Sequence, residues 1–175
     1  MGRKSGGKLI GAALDFLKKA QKQRPARRLQ RKMDDHGLEH VFKGHTRPGR
    51  NSGTGYHYRP GGNDMPDRRI KPDTRKDVGD NGVYQAESEF FDSTMPPPPG
   101  QWKPKAGENG VATFFPDDWT PDQVDRSIAS AFRKSSPHPD DPDAWIGESD
   151  GIKIMGYYDS AAPHGYTHGF PYKVQ

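Results

Sequence analysis

The sequence predicts a loop-rich α+β body with short strands, preceded by a basic arm. Three observations point there. Hydrophobic residues make up only 30% of the 175-residue chain, against 21 Gly and 17 Pro, a composition that suits short elements joined by loops. Several short segments alternate polar and apolar side chains with the period of a half-buried strand. One segment of the body, beginning at Thr120, carries a full helix-start signature.

The arm comes first. Residues 1–33 hold eleven Lys/Arg against a single acid, Asp15, a net +10, so the remainder is −6 within an overall +4. The pI near 9.2 therefore belongs to the arm and says little about whether the body binds nucleic acid. Leu9, Ile10, Ala13, Leu14 and Leu17 fall on one side of a 3.6-residue helix that Lys18, Lys19 and Lys22 continue. Arg24 before Pro25 breaks it, and Ala26 to Met33 forms a second basic helical segment. Such an arm serves an anionic surface or an entry step; the plainer reading is a linker helix within a larger polypeptide. We place residues 1–36 in this arm and 37–175 in the domain. Cysteine is absent, which excludes disulfides and thiolate metal sites. No apolar run reaches a membrane-spanning length, and Gly11 and Asp15 interrupt Leu9–Leu17, so neither a transmembrane helix nor a signal peptide is expected.

Within the body, Leu38 to Phe42 is a short apolar element bearing His40. Gly44 to Gly55 reads as a loop with His45, Arg47 and Arg50. Tyr56 to Arg59 reads as a short strand stopped by Pro60-Gly61-Gly62, and 63–82 as loop. Val83 to Phe91 is a strand setting Tyr84, Ala86, Ser88 and Phe90 against Val83, Gln85, Glu87 and Glu89. Pro96 to Pro99 is a polyproline II spacer. Val111 to Phe115 is a further strand. Thr120 as N-cap, Pro121 at the first helical position and Gln123 two residues later form a capping box, and Val124, Ile128, Ala131 and Phe132 give the helix its buried stripe. His138 to Asp143 reads as an acidic loop, Gly151 to Tyr158 as a half-buried strand, and Tyr166 to Val174 as the closing strand.

The chemistry centres on Glu39-His40-Val41-Phe42 and, 17 positions after His40, Gly55-Tyr56-His57-Tyr58. Two histidines in similar apolar frames, joined by a Gly- and Arg-rich loop, are the simplest general base and acid near neutral pH. The plain alternative is two satisfied histidines in polar loops, with His45 a lesser candidate for the first position. His36, His40, His45 and Asp34 or Asp35 are the residues a zinc or magnesium reading would use, but no C-x-x-C or H-E-x-x-H spacing supports it, and we expect no metal and no cofactor. Trp102, Trp119 and Trp145 read as core or turn anchors. Tyr158, Tyr166 and Tyr172 are more evenly divided between packing and base stacking.

The blocks EHVF, GYHY, a lysine ahead of ATFFPDDWT, GIKIMGYY and HGFPY, in that order, resemble the EndoU endoribonuclease family, from about Gly37 to the C-terminus. The resemblance implies two small antiparallel-sheet lobes with flanking helices, in an EndoU or ribonuclease A-like arrangement. Its bacterial members are often the C-terminal toxin domains of polymorphic, contact-dependent systems. It implies that His40 and His57 are the two catalytic histidines and that Lys105 is the catalytic lysine, with Lys103 its rival. Aligning Phe170-Pro171 with the family's Tyr-Pro places His168 in a Thr slot and Phe170 in a Tyr slot; a one-residue bulge restores Thr167. Thr167, His168, Phe170 and Tyr172 are then the substrate-binding candidates. Also implied are cleavage of RNA, tRNA foremost, to 2′,3′-cyclic phosphate and 5′-hydroxyl ends, a cognate immunity protein, a monomer, and a secreted effector acting in the target-cell cytoplasm. Either histidine order fits the residue types; we read His40 as base and His57 as acid, with a bell-shaped pH profile. The changed C-terminal motif keeps open a catalytically inactive RNA-binding module of the same fold, and a metal-dependent DNase toxin is the third reading.

Overall fold

A computed structural model describes residues 32–46, 50–96 and 99–173. The expected arm helix over 9–22, residues 26–31 of the segment expected over 26–33, Arg47, the centre of the proline run and Val174 lie outside these residues; Lys32 and Met33, the last two of that segment, are not helical. The body is α+β, with two helices and small antiparallel sheets. In chain order it comprises α1 (Asp35–Phe42), β1 (His45–Thr46), β2 (Gly53–Thr54), β3 (Arg68–Ile70), β4 (Lys76–Asp77), β5 (Tyr84–Asp92), β6 (Gln101–Pro104), β7 (Val111–Phe114), α2 (Pro121–Arg133), β8 (Ser136–His138), β9 (Asp141–Ser149), β10 (Ile152–Tyr157) and β11 (Phe170–Pro171).

The first sheet is built around β5. Its first half pairs with β4 and β7, its second half with β3 and β6. The alternation read in the sequence is seen within the strand: Tyr84, Ala86, Ser88 and Phe90 are buried while Gln85, Glu87, Glu89 and Phe91 are half-exposed; Val83, just before it and expected on the opposing face, is buried too. The second sheet runs β11-β10-β9-β8, and α2 packs on β9 and β10 through Val124, Ile128 and Ala131. Thr120 Oγ1 accepts from Gln123 N at 3.2 Å and Gln123 Oε1 accepts from Thr120 N at 2.7 Å, so the capping box is complete. Trp145 is fully buried beside Phe132 and Tyr166.

Four expectations about local structure are corrected. The 63–82 segment contains β3 and β4, because β5 offers free ladder positions to short neighbours whose own sequence has no period. The acidic loop expected at 138–143 belongs to the β8–β9 hairpin: His138 pairs with Asp141 and the turn is Pro139-Asp140. Trp102 is 36% exposed and carries the Arg69 guanidinium over its ring at 4.1 Å, so it is no core anchor. Tyr56 to Arg59 is not a strand: Tyr56 N and His57 N donate to His40 O and Val41 O, the last carbonyls of α1, at 2.9 and 2.7 Å. The helix end thus takes the donors a ladder would have used.

Below α1 the chain is pinned to α2. Met33 N donates to Asp125 Oδ1 at 3.1 Å, and Lys32 Nζ lies 2.7 Å from Asp122 and 3.5 Å from Asp125. Asp125 is fully buried, which raises its carboxyl to about 6 despite the Lys32 charge.

Candidate active site

His40 sits in the last turn of α1, whose N-cap Asp34 accepts from Gly37 N at 2.8 Å. The chain then makes the β1–β2 hairpin and returns to the helix end through Gly55 and Tyr56, both left-handed at φ 79° and 66°. A Cβ at Gly55 would stand 2.3 Å from His40 O, so only glycine lets the returning backbone come this close. Tyr56 is the costlier member, a bulky residue in a region it rarely adopts; its ring is fully buried and its hydroxyl donates to Asp64 at 2.9 Å. The strain lies one residue before His57.

His57 is held from three directions. Its backbone N–H donates to α1, its carbonyl accepts from Phe115 N at 2.9 Å, and its ring Nδ1 lies 2.8 Å from the carbonyl of Thr113 on β7. A carbonyl only accepts, so Nδ1 carries the proton and Nε2 keeps its lone pair. The two imidazoles converge: the His40 and His57 centroids are 6.1 Å apart.

The closing segment completes the site. His168 stacks on His40 at 3.8 Å and Phe170 stacks on His57 at 4.9 Å. Gly37 makes this possible, because a Cβ there would meet Thr167 O at 1.9 Å. Thr167 itself turns away and donates through Oγ1 to Asp159 at 2.7 Å. His168, not Thr167, therefore faces His40, and its buried Nδ1 has no hydrogen-bond partner among the described residues. Tyr172 is elsewhere, its hydroxyl 3.2 Å from His138 Nε2.

The two lysines separate cleanly. Lys103 is buried in an ion pair with Asp92 and donates to Arg50 O at 2.6 Å. Lys105 is half-buried, and its ammonium lowers the pKa of His40, His57 and His168. Burial lowers the pKa of Lys105 in turn, against the opposing charge of Glu108. Burial also dominates the imidazoles. It holds His40 down to about 2, aided by the charges of His168, His45, Lys105 and His36. His168 is held at about 4 and His57 well below its ordinary value. The site gathers imidazoles whose burial favours the neutral form beside a partly desolvated ammonium, with little negative charge of its own.

Sequence reasoning named His36 only as a possible metal ligand and passed over Thr113. His36 lies one helical turn before His40, a spacing that could have flagged it. Thr113 is inside the ATFF block, but its role is played by a backbone carbonyl and has no side-chain signature. His45, the lesser candidate, lies against both His36 and His40, at 5.1 and 5.6 Å. Among the described residues no three His, Asp or Glu side chains are arranged to hold a metal ion.

A family model, bacterial EndoU nuclease, matches residues 34–173. The chain belongs to this family. The span matched to the bacterial EndoU nucleases runs from the N-cap of α1 through the closing strand. A protein named "Toxin" from Bacillus cereus is 29% identical over 127 residues, covering 70% of this chain and 20% of that protein. The chain thus spans about a fifth of the length of that relative. Among the described residues no helix is long and apolar enough to cross a membrane.

Proposed function

We propose that this EndoU-family domain is the RNA-cleaving portion of an antibacterial toxin. The observation that carries the reading is the approach of His40 and His57 to 6.1 Å with the Lys105 charge bearing on both. RNA brings its own nucleophile, the 2′-hydroxyl. One imidazole removes its proton, the phosphorus–5′-oxygen bond breaks as the 2′-oxygen bonds phosphorus, and the second imidazole protonates the departing 5′-oxygen. The products are a 2′,3′-cyclic phosphate and a 5′-hydroxyl. Lys105 stabilises the charge that builds on the phosphorane.

The Thr113 contact favours the reverse of the order read from sequence. With Nδ1–H held by a carbonyl, His57 presents a lone pair at Nε2 and its imidazolium is stabilised once formed, as a base requires. His40 is then the acid. In the free protein its pKa is far below neutral, so it needs the scissile phosphate's negative charge to hold a proton. Phe170 and His168 offer ring faces beside the two imidazoles for a splayed base.

Total tRNA incubated with EDTA tests the reading. The parent yields fragments with 2′,3′-cyclic ends, and His57→Ala yields none. Cleavage abolished by EDTA, or retained in His57→Ala, sinks it. The toxin role further entails a cognate immunity protein and action in the cytoplasm of a target cell. The domain, taken to include all of α1, acts as a monomer. Co-purification of the immunity protein with the domain in one size-exclusion peak checks that partner.

A further inference from the structure

Beyond the catalytic pair the imidazoles do not stop. From His57 the rings step to His40 at 6.1 Å, from His40 to His45 at 5.6 Å, and from His45 to His36 at 5.1 Å, the last two stacked within 17°. The line also climbs from the interior to the surface: His57 is buried, His40 and His45 are half-buried, and His36 is exposed. His36 and His40 share a face of α1 one turn apart, and His45 opens β1 just past the helix end. Two carboxylates oppose this set: Asp159, whose pKa the His36 charge helps to lower, and Glu108 beside Lys105. Asp159 is already engaged by Thr167 and by Ala161 N. A row of imidazoles leading outward from the catalytic pair matches a polymer with one phosphate per residue.

We propose that His36 and His45 form a second phosphate subsite, taking the backbone phosphate on the 3′ side of the cut. The assignment rests on the reading of RNA cleavage above, with His40 as the acid. His40 then faces the departing 5′-oxygen, so the rungs beyond it lie along the downstream nucleotide. A substrate ending at that nucleotide leaves the outer rungs empty, whereas one carrying a 3′-phosphate fills them.

Two dinucleotide analogues, 2′-deoxy at the cut position and differing only in a 3′-terminal phosphate, measure the subsite without turnover. We expect the phosphorylated analogue to bind the parent about tenfold more tightly at low salt, and His36→Asn to shrink that ratio severalfold. The advantage should also fade as salt is raised. An unchanged ratio in His36→Asn, or a His36-dependent advantage for a 5′-phosphate instead, overturns the proposal. The all-ribose dinucleotide tests the underlying activity separately. If the ribose version is not cut while the analogue ratio behaves as stated, the cleavage reading fails and the subsite stands as a binding site; if it is cut and the ratio does not respond, the subsite alone is lost.

Discussion

The α2 side of the molecule and the α1 side are built on opposite plans. Around α2, a thirteen-residue helix with a complete capping box lies on a four-stranded sheet, and its side chains follow their ideal periods. Around α1, an eight-residue helix surrenders carbonyls of its last turn to a returning loop, two successive residues are left-handed, and four imidazoles gather between the interior and the surface. The first plan supplies rigidity. The second supplies convergence, because only irregular backbone brings residues 40, 57 and 168 to one point. Stability and chemistry should therefore respond separately to substitution on the two sides.

The largest separation is expected at the histidines themselves. His57→Ala should lower kcat by roughly a thousandfold with the far-ultraviolet spectrum unchanged, in keeping with loss of a general base. A loss under tenfold would break the comparison, since the α1 side would then be scaffold too. Next comes Gly55→Ala, which forces a Cβ against His40 O in a left-handed backbone. Its cost should be about 3 kcal/mol in urea unfolding, accompanied by lost activity. An active, fully stable variant would show that the loop does not set the His40–His57 distance.

Protons give a third handle. His40, His57 and His168 have folded pKa values below the unfolded value, so below about 6.5 the unfolded chain binds more protons and stability falls with pH. Asp125 has the opposite sign. Its folded value of about 6 exceeds the unfolded one, so it favours folding as pH falls through 6 toward the ordinary carboxyl range. The parent should lose ~5 °C in Tm between pH 7 and pH 5, His168→Asn less, and Asp125→Asn more. Near neutrality the scarce form is protonated His40, so kcat/KM should climb as pH drops from 8 toward 6 instead of tracing a bell about neutrality. A symmetrical bell would place a histidine titration back near its ordinary value. The smallest effect belongs to the regular side: Thr120→Ala should cost about 1 kcal/mol and leave RNA cleavage unaltered.

The same division explains what could be read in advance. The α2 cap, the β5 alternation and the Ile152/Ile154 strand were legible because burial imposes a period on side chains. The short strands β3 and β4 were not, because their partner β5 determines them. At the site, residue types and block order pointed to His40, His57 and Lys105, which the fold brings together. Lys103 could not be dismissed without seeing Asp92 across the β5–β6 ladder. Thr167 against His168 was a matter of one-residue register, settled by the close approach of Gly37 to the Thr167 carbonyl. Tyr172 pairs with His138 on the neighbouring hairpin, a contact no local pattern announces.

Thr113 joins the two plans. Its carbonyl holds the His57 ring, while its hydroxyl donates to Pro171 O on the last strand at 2.6 Å. One residue of the first sheet thus reads the position of the second and passes it to an imidazole proton. A molecule that wedged β7 and β11 apart by a fraction of a bond length could mute this domain from a distance, with its imidazoles untouched and its surface charge unaltered.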